Sequence, residues 1–363
     1  MGPQDRNSRP PRRRPRCARL RMRGHVHPEG AKVLRSRFLS GAAAATGAAA
    51  VAAPAAAAQW EYKFGHDMPV QHPLHTTMVR MWREVEQRTG GRLRVAVFPQ
   101  NQLGSDSAAL SQIRSGALQF TCLSGAIIAS VVPVTQIENL PFAFSSGDEV
   151  FHAMDNELGE YLRREMEAKD LIAMPRMYDL GLRQVTSSTH PIRTADDFAN
   201  FKIRTPPSKI FVDAFKALGA SPTSISFNET YVALQTHVVD GQETPYSVIE
   251  TSRLYEVQKY LSVTNHSWAG WWLLANVDAW RSLPSDVQDV VREISVKYSA
   301  IERRETALAN AALADKLSRR GMIFNKADTA TFKARLTAFY ADWKTAFGTT
   351  AWNSLQKVTG RLA

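Results

Sequence analysis

The sequence predicts an α/β fold of two lobes crossed by one long helix. Three observations carry that expectation. From residue 61 onward, short stretches of period-two alternation take turns with stretches of helical periodicity, the rhythm of a sheet with helices packed on it. About 305 residues follow an Ala-rich leader, more than one hydrophobic core comfortably holds. Finally, an apolar helical pattern opening near Ser285 continues without a breaker to about Arg320, roughly 50 Å at the rise of an α-helix.

In chain order, E-Y-K-F-G-H-D reads as a first strand. The next segment places Leu74, Met78, Met81, Trp82 and Val85 on one helical face and stops at Gly90-Gly91. Leu93, Val95 and Val97 alternate as a second strand, A-A-L-S-Q-I-R-S-G is a short helix, and A-L-Q-F-T-C-L a third strand. This β-α-β-α-β order argues for a mainly parallel sheet. One helix is expected from Glu149 to Lys169, then a strand over L-I-A-M-P-R-M-Y. After Tyr178 the pattern begins again with G-L-R-Q-V-T-S-S, F-K-I-R, S-P-T-S-I and the helical N-E-T-Y-V-A-L-Q-T-H-V. Ser285 and Gln288 have capping-box spacing at the start of the long helix.

The net charge of +11 suggests a nucleic-acid binder until it is located. Residues 1–58 carry 12 Lys and Arg against Asp5 and Glu29, which accounts for +10 and leaves +1 for the rest of the chain. No nucleic-acid partner is therefore expected. R-S-R-F-L-S followed by a run of small residues and Ala56-Ala57-Ala58 reads as an export signal cleaved near Ala58. Ser36 stands where a twin-arginine signal would have its second arginine, so the route is open, as is whether translation starts before Met22. No later stretch is apolar for the ~18 residues that a span needs. Beyond the leader only Cys122 remains, read as a small buried hydrophobe that excludes an internal disulfide.

Catalytic signatures are missing: there is no G-x-S-x-G, G-x-G-x-x-G, G-x-x-x-x-G-K-[ST], H-E-x-x-H or C-x-x-C. His66, His72 and His75 are the densest histidine group, read as capping and hydrogen-bonding residues beside a cleft. No metal site and no cofactor are expected. Arg183 and Arg204 are more telling. In F-K-I-R-T-P-P the strand is stopped by Pro206 and Pro207 just before a helix, which puts Arg204 at a strand end, where α/β proteins meet ligands. Its planar fork suits a carboxylate.

Ordered segments spread over most of the chain resemble the periplasmic solute-binding subunits of TRAP (tripartite ATP-independent periplasmic) transporters. They are G-H-D-M-P-V-Q-H-P-L-H, F-P-Q-N-Q-L-G-S-D, I-E-N-L-P-F-A-F, L-G-L-R-Q-V-T-S, F-K-I-R-T-P, L-G-A-S-P-T, Y-V-A-L-Q-T-H-V-V-D-G-Q-E-T-P and L-Y-E-V-Q-K-Y-L-S-V-T-N-H. The resemblance implies the two-lobed periplasmic binding protein fold, closing on an organic acid. Lobe I would comprise residues 59–180 and about 271–308, and lobe II residues 181–270 and about 309–363.

The same resemblance implies that Arg204 grips the ligand carboxylate, with Arg183 as a second contact. Thr244 stands where the family usually has an asparagine. Phe227 would supply an apolar wall, and His66, Gln71, His72, Ser124 and Tyr178 are the candidates on the facing lobe. Trp268, Trp271 and Trp272 lie near the second crossing, either as packing or as cleft walls. The expected role is capture of a small organic acid for membrane permease subunits, by a monomer. Two alternatives are a sensing protein that feeds a receptor and a periplasmic enzyme using His66, His72 and Tyr178.

Overall fold

In the computed structural model, which describes residues 58–362, eleven strands join in a single sheet. The export leader lies outside the described residues. Strand β1 (Trp60–Gly65) pairs in parallel with β2 (Leu93–Phe98) and β3 (Phe120–Leu123). Between β1 and β2 runs α1 (Pro73–Arg88), with proline in its first turn and Leu74, Met78, Met81, Trp82 and Val85 all buried. Gly90 (φ 63°) and Gly91 (φ 81°) take the left-handed backbone that ends it. Helix α2 (Asp106–Ser115) precedes β3, and the short α3 (Gly125–Ile128) follows.

The helix expected from Glu149 to Lys169 is two helices, α4 (Gly147–Asp155) and α5 (Glu157–Glu167). Asn156 between them has φ −122° and ψ −139°, and its side-chain amide donates to His152 O at 2.8 Å. Gly159 completes the break, since a Cβ there would overlap the Met154 carbonyl. The apolar stripe continues through both pieces, so its periodicity concealed the interruption.

Strand β4 (Leu171–Ala173) is short because Pro175 follows it, and β5 (Tyr178–Ser187) begins anew. The second half adds β6 (Lys202–Thr205), α6 (Lys209–Ala217), β7 (Ser221–Ser224), α7 (Thr230–Gln235), β8 (Gly241–Pro245), α8 (Tyr246–Thr251) and β9 (Tyr260–Val263). The chain then returns along β10 (Trp268–Asn276) to α9 (Val277–Arg281) and α10 (Ser285–Arg319), and closes with β11 (Ile323–Lys326), α11 (Thr329–Arg335) and α12 (Thr337–Thr359).

Strand order along the main path is β2-β1-β3-β10-β5-β8-β6-β7. Only its two ends are parallel. The β3–β10, β10–β5 and β5–β8 pairs are antiparallel, so the mainly parallel expectation fails in the middle. The reason is that β5 carries the chain out of the first half and β10 carries it back. The register of that crossing shifts between Ala269 and Gly270. Gly270 lies so close to the Trp268 ring that no side chain fits. Gly181 of β5, opposite Ala269, has φ 101°.

Helix α10 is 35 residues long, about 52 Å, and packs along α1, β5 and α8. Its capping box does not form. Pro284 precedes the helix, and the Gln288 amide donates instead to the Trp280 and Leu283 carbonyls, each at 2.9 Å. Midway, Glu302 Oε2 accepts the Asp179 N–H at 2.8 Å, and Arg303 makes paired bonds of 2.6 and 2.9 Å to Asp155. The C-terminal helix α12 packs against α4 and α5, where Lys357 bonds Glu157 at 2.7 Å, and also against α6 and α11. Cys122 is a buried free thiol in β3. No helix among the described residues is long and apolar enough to cross a membrane.

Candidate functional site

Where the strand ends of the two halves face each other, the chain encloses a cavity of about 60 Å³ open to water-sized spheres. At ~10–15 Å³ per water, that is room for a handful of waters or a compact solute. The first half contributes Asp67 and Met68 after β1, Asp106 at the start of α2, and Leu123, Ser124, Ala126 and Ile127 around the end of β3. The second contributes Arg183, Arg204, Pro206, Phe211, Phe227 and Thr244. Ala269, Gly270 and Trp271 of β10 line the crossing between them.

Arg204 is held by its strand. β6 lies between β7 and β8, with Arg204 opposite Thr223 on one side and Gln242 on the other. The side chain is 3% exposed, and its Nε–H donates to Ile225 O at 2.9 Å. Among the described residues no other of its five N–H donors has a partner, and no carboxylate is within 4.0 Å. The Phe227 ring centroid lies 5.9 Å from the guanidinium carbon. Burial pulls the Arg204 pKa down to about 10, partly offset by Glu243, so the group stays cationic at neutral pH. It is a buried cation whose fork faces an open space.

Arg183 lines the same cavity in a different condition. Its Nε–H and one terminal nitrogen clasp the two oxygens of Glu243, the latter at 2.7 Å, and that nitrogen also meets the Glu243 carbonyl at 2.8 Å. The Phe211 ring lies 4.9 Å from its guanidinium carbon. Glu243 is fully buried and accepts a further bond of 3.2 Å from His266 Nε2. Burial pushes the Glu243 pKa up, but Arg183 and His266 outweigh it and hold the carboxyl below its usual range. His266 is itself driven neutral by burial, so it donates through Nε2 and accepts the Thr264 hydroxyl at Nδ1, 2.8 Å away.

Of the residues singled out from sequence, Arg204, Arg183, Thr244, Phe227, Ser124 and Trp271 surround this cavity, and the others do not. Tyr178 is fully buried, its hydroxyl against Met81 Sδ and Ser295 O at 3.2 Å each. Trp268 donates to Asp179 Oδ1 at 2.8 Å within the core, and Trp272 likewise to Glu138 Oε2. Gln71 is exposed. His66 accepts the Met68 N–H and pairs with His75, both at 3.1 Å, in a smaller space behind the cavity. His72 caps α1, its Nδ1 accepting the Leu74 N–H at 3.1 Å, with its ring edge-on to Trp271. Among the described residues no three or more His, Cys, Asp or Glu are arranged to hold a metal ion.

These histidines have a measurable signature. Burial depresses the pKa of His72 from 6.5 to about 3. A depressed folded-state pKa stabilises the protein fully above pH 6.5, and that contribution is lost as pH falls toward 3. At pH 5 the loss from His72 is about 2 kcal/mol. His72→Asn keeps a capping side chain and should reduce by that amount the stability lost between pH 7 and pH 5 in urea titrations. An unchanged difference would show that His72 titrates normally.

The lining residues that sequence reasoning passed over are chiefly Asp67, Asp106, Asn139 and Phe211. Asp67, Asp106 and Asn139 sit inside motifs quoted above, G-H-D-M-P, Q-L-G-S-D and I-E-N-L-P. A charged residue just beyond a strand end was the available signal for the first.

Residues 64–346 match the family described as bacterial extracellular solute-binding protein, family 7. A TRAP periplasmic solute-binding protein of Sulfurospirillum deleyianum, solved with bound succinate, is 27% identical with a TM-score of 0.79, over 84% of this chain and 99% of that one. Another, from Polaromonas sp. JS666 and bound to D-erythronate, is 28% identical with a TM-score of 0.79, again over 84% and 99%. The y4mM protein of Sinorhizobium fredii is 32% identical over 278 residues, 76% of this chain, which spans 51% of that relative's length.

Proposed function

Because the chain belongs to family 7 of the bacterial extracellular solute-binding proteins, we propose that it captures a small organic acid in the periplasm and delivers it to the membrane subunits of a TRAP transporter. The lobes divide within β5 and β10, near residues 180 and 270, and close over the acid. Arg204 holds its carboxylate, Thr244 stands beside that contact, and Phe227 and Trp271 form the apolar walls. The protein acts as a monomer, exported by its leader and cleaved near Ala58. The role is capture, without turnover of the ligand.

One observation carries this reading: Arg204 is a buried cation that has no ion-pair partner among the described residues and lines a cavity. A charge taken from water needs a counter-charge. Among the described residues no carboxylate is within 4.0 Å of Arg204 to supply it, and a ligand carboxylate fits the fork bidentately. Closure follows if the acid binds the closed state more tightly than the open one. Arg183 has a secondary part, since Glu243 already occupies two of its nitrogens.

The test is a thermal-shift screen of the chain from Gln59 onward, freed of any co-purified ligand, against small carboxylic acids. At a hundredfold over its dissociation constant an acid adds ~2.7 kcal/mol of stability, so hits should raise the melting temperature by several degrees. The absence of any hit among acids, with hits among uncharged solutes, would overturn the assignment.

A further inference from the structure

The cavity that holds Arg204 is also acidic. Asp67 and Asp106 both line it, from the loop after β1 and from the first turn of α2. Asp67 Oδ1 is shut off from solvent and has no hydrogen-bond partner among the described residues. Asp106 faces one donor: with its amide suitably oriented, Asn101 lies 3.2 Å from Oδ1. Neither carboxylate is within ion-pair distance of Arg204, so both charge types line one small space without being joined.

We propose that Asp67 and Asp106 set the specificity of this site: they accept hydrogen bonds from a donor-bearing far end of the ligand and reject a second carboxylate. The proposal rests on the carboxylate-capture reading above and adds the other half of the ligand. A molecule spanning the cavity puts one carboxylate on Arg204 and its remaining groups against the two aspartates. If those groups are hydroxyls or an ammonium, the orphaned Asp67 oxygen gains its missing partner. If they are a carboxylate, three acid groups share a closed space, and like charges placed together are strongly unfavourable. An alkyl end leaves Asp67 unsatisfied and gains little. A further carboxylate would add to a pair whose ionisation burial already disfavours, although Arg204 pulls both the other way. Burial, then the neighbouring Asp106, raises the Asp67 pKa well above the usual range, while burial lifts Asp106 to about 6.

Four acids of the same chain length separate the possibilities: D-erythronate (hydroxyls), 4-aminobutyrate (ammonium), butyrate (neither) and succinate (a second carboxylate). Titration calorimetry at pH 7.5 should give erythronate or 4-aminobutyrate at least tenfold tighter binding than butyrate and succinate, and whichever of the two binds more tightly identifies the donor. The Asp67→Asn/Asp106→Asn variant should cut that preference to within threefold, chiefly by weakening the preferred acid and by admitting succinate. Two results would overturn the proposal while leaving carboxylate capture intact: succinate or butyrate binding as tightly as the donor-bearing acids, or the preference persisting in the double variant. Binding that survives Arg204→Ala, or no binding of any of the four, would overturn the capture reading and this proposal with it.

Discussion

Replacing Arg204 by alanine should weaken acid binding by at least 10²–10³-fold and leave the ligand-free protein as stable as before, or more so. The two effects have one origin. Among the described residues the buried guanidinium has one hydrogen bond, to Ile225 O, and no carboxylate within 4.0 Å. Removing it relieves the cost of that burial. In the bound state it is the carboxylate's partner, and a buried carboxylate left alone costs roughly 3–5 kcal/mol, two to three decades or more at 1.4 kcal/mol each. Arg204→Lys keeps the charge without the planar fork and should fall between. Calorimetry and melting curves on the same preparations measure both arms. A loss of affinity below about threefold would remove Arg204 from the assigned role.

Glu243→Ala should do the reverse to stability. Glu243 is fully buried and binds Arg183 through both oxygens and through its own carbonyl, with His266 completing its shell. Truncation strands a buried guanidinium in the sheet between β5 and β8, and breaking such a pair costs about 3–5 kcal/mol. In a domain of this size the ligand-free melting temperature should drop by on the order of 10 °C. Glu243→Gln, which keeps the shape and part of the hydrogen bonding, should cost less. Equal melting temperatures for Glu243→Ala and the parent would mean that Arg183 finds another partner. Removing Arg204 and removing the partner of Arg183 are thus expected to move the stability of the ligand-free protein in opposite directions, because Arg183 is paired with a buried carboxylate and Arg204 has no such contact among the described residues.

That difference was invisible in the sequence. Arg183 and Arg204 look alike there, each on a predicted strand, and the partner that distinguishes them lies 60 residues beyond Arg183. Local features were legible: the apolar face of α1, the alternation of β2 and the proline stop after β6 each depend on neighbours within a turn or two. Apart from the break at Asn156 and the missing capping box, both local, what failed depended on distant pairing. The antiparallel middle of the sheet arises from β5 meeting β8 and β10, which no local period records. Tyr178 and Trp268 were aromatic candidates near the cleft, but their polar atoms are claimed by Ser295 and Asp179 inside the core. Asp67 and Asp106 stood in separate quoted motifs, and only folding brings them to one cavity.

The crossing strands have one more consequence. A joint made of loose chain swings freely and stores nothing. Here the link between the halves includes two hydrogen-bonded strands, β5 and β10, bent where Gly181 has positive φ and Gly270 admits the Trp268 ring, with the Asp179–Glu302 bond alongside. If the lobes close as proposed above, this ribbon must bend, and its hydrogen bonds oppose the bending. The affinity that an experiment reads is the intrinsic affinity scaled by the fraction of molecules already at the closed angle. Stiffness in the ribbon therefore enters the dissociation constant directly, and capture can be retuned at Gly181, which does not line the cavity, without altering any atom that touches the solute.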